Sequence, residues 1–145
     1  MITDKLLMFS EAQAVRNTAA STNAIDLGPI DGNCRDIGVG YPREFWVMVN
    51  SDVAASGAAT VKVQLQTSEN NSSWNTVYDS DVFSLTTLKT GKRIVSVKVP
   101  SGVKRYLSIN YIVTNGPLTA GEFTAGISLD VDANTPYPIR SKVTG

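Results

Sequence analysis

Thr60-Val61-Lys62-Val63-Gln64-Leu65-Gln66-Thr67 sets apolar Val61, Val63 and Leu65 against polar Lys62, Gln64 and Gln66. Side chains along an extended chain point alternately to two faces. This stretch therefore reads as a strand with one face in a core and the other towards solvent or a partner. The same period returns downstream. Arg93 to Val99 puts Val95, Val97 and Val99 on one face, and Tyr106 to Val113 does so with Leu107, Ile109, Tyr111 and Val113. Phe123, Ala125, Ile127, Leu129 and Val131 alternate with Thr124, Gly126, Ser128 and Asp130, so all five belong on the core side. Phe45-Trp46-Val47-Met48-Val49 is continuously apolar instead, the pattern of a central strand buried on both faces.

Turn chemistry separates these runs: Asp31-Gly32-Asn33, Ser68 to Ser73, Pro100-Ser101-Gly102 and Asn115-Gly116-Pro117. Lys5 to Ser10 reads as a short strand, and Glu11 to Val15 continues it or forms one helical turn. Asn17 to Asn23 is a small polar loop. Ala24 to Leu27 is a strand stopped by Gly28-Pro29. Asn50 to Ala59 reads as a loop, Trp74 to Tyr78 as a return antiparallel to the Thr60 strand, and Val82 to Leu88 as a further strand. The segment 133–145, with Pro136 and Pro138, reads as an extended C-terminal arm. About eight or nine strands and no helix beyond a turn or two give an all-β chain. The expected fold is a jelly-roll-like β-sandwich or barrel with extended N- and C-terminal segments. At 145 residues, 1–145 is expected to form a single domain.

Composition narrows function. The chain has no histidine, which removes the commonest general base and the commonest transition-metal ligand. Charged residues make up 18%, below the roughly 25% of an average soluble domain. That fits either a surface partly covered by partners or simply a Ser-, Thr- and Gly-rich β domain. Thirteen cations balance 13 anions, so nothing announces nucleic-acid binding. Lys89, Lys92 and Arg93 beside Gly91 read as a solvated hairpin turn. Cys34, the only cysteine, cannot form an internal disulfide and has no histidine to make it a nucleophile. No signal peptide is visible, and no run approaches the roughly 18 apolar residues of a membrane helix. Asn70 and Asn71 head Asn-x-Ser sequences that would matter only in a secretory pathway.

The candidate chemistry is sparse. Asp79 and Asp81, and Asp130 and Asp132, could serve as acid/base pairs or calcium ligands, but they read more simply as solvated strand-end carboxylates. Gly38-Val39-Gly40 lacks the lysine and the context of a phosphate loop. Trp46 lies in an apolar run and belongs in the core. Trp74, beside a polar loop, caps the sandwich edge or touches a partner. Tyr41 before Pro42, and Tyr137 between prolines, are rigid aromatics suited to interfaces or to plugging a barrel end. No catalytic residue, metal or cofactor follows from this pattern, and an enzyme is not expected.

Several strings carry a resemblance. They are Asp4-Lys5-Leu6-Leu7-Met8-Phe9-Ser10-Glu11-Ala12-Gln13-Ala14-Val15, Ala19 to Gly28, Arg35-Asp36-Ile37-Gly38-Val39-Gly40, Val63 to Ser68 and Ala125 to Val131. Together they resemble the capsid cement, or decoration, proteins of short-tailed bacteriophages, the family typified by the Bordetella phage cement protein. The resemblance implies a jelly-roll domain on the outer surface of a phage head, made in the bacterial host cytoplasm. Its implied partners are the major capsid protein and a second copy of itself, as a homodimer or a trimer at a capsid symmetry axis. No nucleic acid or membrane is implied. On that reading the contacts fall on Leu7, Phe9 and Gln13 near one end and on Tyr137, Ile139 and Arg140 near the other, with Tyr41 and Trp74 as further candidates. A carbohydrate-binding module using Trp74, Tyr78 and Tyr41, or another virion part such as a tail-tube or head-completion protein, are the alternatives.

Overall fold

The computed structural model of the chain describes residues 2–29 and 43–131. After one 3-10 turn, Lys5–Leu7, ten strands follow among these residues: β1 Met8–Ala14, β2 Ala19–Ala20, β3 Ile25–Asp26, β4 Glu44–Ala55, β5 Thr60–Ser68, β6 Asn75–Asp79, β7 Phe83–Ser84, β8 Arg93–Lys98, β9 Tyr106–Thr114 and β10 Leu118–Ser128. One sheet has the order β1-β10-β4-β8. The other has the order β2-β9-β5-β6, with β3 also pairing β9 and β7 also pairing β5. All pairings are antiparallel.

The connectivity is that of a jelly roll. β1 pairs with β10, β2 and β3 pair with β9, β4 pairs with β8, and β5 pairs with β6. These pairings nest inside one another like a single long hairpin, which has been rolled so that its successive pairs fall alternately in two facing sheets. The first and last strands therefore lie side by side, and Met8 sits opposite Gly126.

The core fills the space between the sheets. Val61, Val63 and Leu65 from β5 and Leu107, Ile109 and Tyr111 from β9 meet Phe9, Phe45, Val47, Val49, Phe123 and Ala125 of the other sheet, all at 0% exposure. Phe9 meets Phe45 edge-on at 5.9 Å, and Tyr111 stacks on Phe123 at 5.3 Å. Such aromatic pairs add about 0.5–1.5 kcal/mol beyond the area they bury. The buried Tyr111 hydroxyl donates to Ser10 Oγ across the sandwich, and Ser10 donates to Gln13 Oε1.

Several expectations fail locally. Lys5–Leu7 is a 3-10 turn capped by Asp4 rather than a strand, because the Asp4 carboxylate accepts the Leu6 N–H. Asn50 to Ala55 is not loop: β4 runs on through it, paired to β10 and burying Val53. Val82 to Leu88 holds only the short β7. The chain then turns, and Leu88 enters the core while its carbonyl accepts the Val53 N–H. Leu129 points to solvent, 65% exposed, because β10 ends at Ser128 and the alternation ends with it. The expected C-terminal arm, Cys34 and Asp132 lie outside the described residues.

The turn before β8 shows how few residues set a register. Lys89 to Lys92 closes with Lys92 N–H on the Lys89 carbonyl, and Gly91, at φ 77°, donates to Val49 O. A left-handed residue beginning a bulge here strains any side chain, so glycine fits.

Candidate interaction surface

The four-stranded sheet carries apolar groups on its outer as well as its inner face. Along β4, Phe45, Val47 and Val49 face the core, while Trp46 and Met48 face outward. Trp46 is nonetheless 1% exposed, packed with Met8 and Val131 in a second, smaller cluster. Gly126 makes room for it: a Cβ there would lie 2.7 Å from Met8 Sδ and 3.3 Å from the Trp46 ring. The indole N–H of Trp46 has no hydrogen-bond partner among the described residues.

Next to this cluster, at the pole where β1 begins and β10 ends, lies an open groove of about 530 Å³. Ile2, Leu7, Ile127 and Leu129 line it, with Asp4 and Asp130 at its rim. Ile2 is 95% exposed, Leu129 65%, and Leu6 on the adjoining turn 55%. These are three of the four large apolar side chains exposed among the described residues; the fourth, Val82, lies before β7. Apolar groups gathered at one place, rather than scattered, mark an interaction site.

The expected contact residues divide. Leu7 lines the groove. Phe9 does not reach a surface; its ring is in the core against Phe45. Gln13 is committed internally: its Oε1 accepts from Ser10 and from the Thr22 N–H, and its Nε2 donates to Ala20 O. Trp74 is half-buried just before β6. Tyr41, Tyr137, Ile139 and Arg140 lie outside the described residues. Ile2, Leu6 and Leu129 were not singled out from sequence. Leu129 was hidden by a period that runs one step past the end of its strand.

Several titratable groups are occupied structurally. Asp79 pairs with Lys62, which holds its carboxyl below the usual range. Tyr78 packs edge-on against Phe45, and burial, then the charges of Asp81 and Asp79, push its hydroxyl up. It is a wall of the core more than a sugar platform. Asp26 accepts two hydrogen bonds from Arg105, whose guanidinium lies over the Tyr106 ring. Asp52 accepts from the Thr90 N–H and hydroxyl and from Lys89, which lower its pKa to about 2. Among the described residues no three His, Cys, Asp or Glu side chains gather as a metal site. No helix there is long and apolar enough to cross a membrane.

A family model, Bbp16, matches residues 9–127, from the second residue of β1 to the penultimate residue of β10. The chain belongs to the Bbp16 family. Bbp16 is a Bordetella phage protein family, so the β-sandwich is that of a bacteriophage protein. The Bbp16 match takes in nearly the whole jelly roll and the Ile127 wall of the groove, but stops short of Ile2 and Leu129. No curated protein matches the chain.

Proposed function

We propose that this Bbp16 protein is a structural virion component that binds the outer surface of a bacteriophage capsid and stabilises the expanded head as cement. The observation that carries the reading is a phage-family jelly roll with its one concentration of exposed apolar side chains among the described residues at a single pole. Several of its acids and bases are spent on pairs within the chain, such as Lys62–Asp79, Lys104–Glu69 and Arg105–Asp26, which suits holding rather than turnover. The partner is the major capsid protein, and the protein pairs with itself, as a dimer or a trimer, at a capsid symmetry axis. Each contact need be only modest, because repetition over a symmetric lattice multiplies it.

Co-sedimentation of the purified chain with expanded and unexpanded capsids of its phage tests this. Saturable binding to expanded shells, with added resistance to heat, is the expected result. Binding to neither form would overturn it; a glycan array and the mass of the isolated oligomer would then separate a carbohydrate-binding module from a ring-forming tail-tube or head-completion part.

A further inference from the structure

A sandwich of two open sheets has four edges, and each unpaired edge is a template for another strand. Three are blunted here. β1 is capped by the segment beside it: Asn23 Nδ2 donates to Met8 O, while the Asn23 N–H and the Thr22 hydroxyl donate to Phe9 O. The edge at β2 and β3 is broken into two-residue pieces. β6 is five residues long, with a register shift in its pairing to β5.

β8 also carries a register shift, between Val47 and Met48 of its partner, but beyond it the pairing with β4 is unbroken from Val95 opposite Val47 through Lys98 opposite Glu44, and the Val99 N–H continues it onto Arg43 O. In an antiparallel ladder alternate residues bond to the same neighbour. Val95, Val97 and Val99 therefore turn their backbone groups to β4, and Ser96 and Lys98 turn theirs outward. No described strand lies there. Ser96 and Lys98 are exposed.

The charge around this edge is mostly positive; against it stands Glu44, opposite Lys98, whose carboxylate accepts from Ser96 Oγ. Lys92, Arg93 and Lys98 bracket the edge. Among the described residues Lys92 and Lys98 take part in no ion pair. Pairing β8 with a second β8 would bring these cations alongside one another, which is unfavourable. An acidic strand meets the opposite situation, with backbone hydrogen bonds supplying affinity and charge supplying selection.

We propose that the edge of β8, which no described strand pairs, is a strand-addition site for an acidic, extended segment of a partner protein. The backbone of Ser96 and Lys98 forms the ladder, and Lys92 and Lys98 recognise the charge. If the partner is the major capsid protein, this edge is a second grip beside the apolar groove; that identification rests on the cement reading, whereas the edge itself does not.

The test uses the 15N-labelled full chain and two capped hexapeptides, one alternating Glu and Val, the other Lys and Val. The acidic peptide should shift the amide signals of Ser96 and Lys98 and slow their hydrogen exchange. Its affinity should fall about tenfold between about 0.05 and 0.5 M salt, as screening predicts. The basic peptide should leave the spectrum unchanged. Ser96→Pro removes one outward N–H at an edge position that tolerates proline, and should abolish binding while the thermal melt stays close to wild type. The double variant K92E/K98E should reverse the peptide preference, which keeps the test valid if the proline variant fails to fold. Shifts confined to other residues, or equal response to both peptides, would overturn the proposal. Acidic-peptide binding by a protein that ignores capsids would leave the edge standing and remove the capsid reading.

Discussion

The outer faces of the two sheets are opposites. On the six-stranded sheet, Lys62, Gln64 and Gln66 of β5 alternate outward, with Gln64 beside Asn110 and Lys62 paired to Asp79. On the four-stranded sheet, the outward positions of β4 are Trp46 and Met48, roofed by Met8 and Val131. One face meets water directly. The other carries a second apolar layer, so β4 is buried on both sides, as its unbroken apolar run implies. The difference teaches that a jelly roll with two topologically equivalent sheets can still be chemically one-sided.

Trp46→Ala is the largest way to break that asymmetry. Emptying so large a buried site should cost about 3–5 kcal/mol in urea unfolding, as much as an inner-core aromatic. A cost below about 1 kcal/mol would mean that the outer layer is not a core. Trp46→Phe should cost under about 1.5 kcal/mol, less than the lost volume suggests, because the orphaned indole N–H goes with it.

Gly126→Ala sharpens the same point. Its new methyl would lie 3.1 Å from Leu7 O as well as against Met8 and Trp46, and should cost about 1–3 kcal/mol. Adding Met8→Ala should return part of that loss, measured as non-additivity in a double-mutant cycle.

At the far end of β4, Asp52 gives a pH-dependent comparison. Its carboxylate is lowered from 3.8 to about 2 by the Thr90 N–H and hydroxyl, then by Lys89. A depressed folded value means that the contribution is whole above about pH 4 and is lost as pH falls towards 2. Amide exchange at Thr90 should therefore accelerate, beyond its intrinsic pH trend, only in that acid window. The effect should be small, since the group is exposed, and Asp52→Asn should flatten it. The smallest expected change is Gln64→Ala on the wet face, within about 0.5 kcal/mol of wild type in the same urea unfolding.

Much of this architecture was legible in the sequence. β5, β8 and β9 declare themselves by strict alternation, and β4 by its continuous run. What could not be read was decided by tertiary pairing. Asn50-Ser51-Asp52 looks like a loop, yet β10 holds it extended through Glu122 opposite Ser51. Thr119-Ala120-Gly121 of β10 is equally bland and is held in turn by β4, with Ala120 opposite Ala54. Val82 to Leu88 looks like a strand, but its apolar residues serve a turn that plugs the core with Leu88. The candidate interaction surface was less legible still. Leu7 was read from its place in an apolar segment. Phe9 shares that segment but lies wholly in the core, whereas Leu7 packs against the core's margin and lines the groove, a distinction that burial alone makes. Ile2 and Leu129 meet only because β1 and β10, at opposite ends of the sequence, are neighbours.

That neighbourhood has a mechanical consequence. The segments that precede β1 and follow β10 leave the sandwich at one pole, on adjacent antiparallel strands. A force drawing them apart loads the ladder one rung at a time, as in opening a zip, and gives way at low tension. A force along β8, held through its edge, loads all its rungs at once in shear. A protein fixed to a swelling shell by the pole alone would peel open, and one held also along β8 would resist the same stretch as a unit.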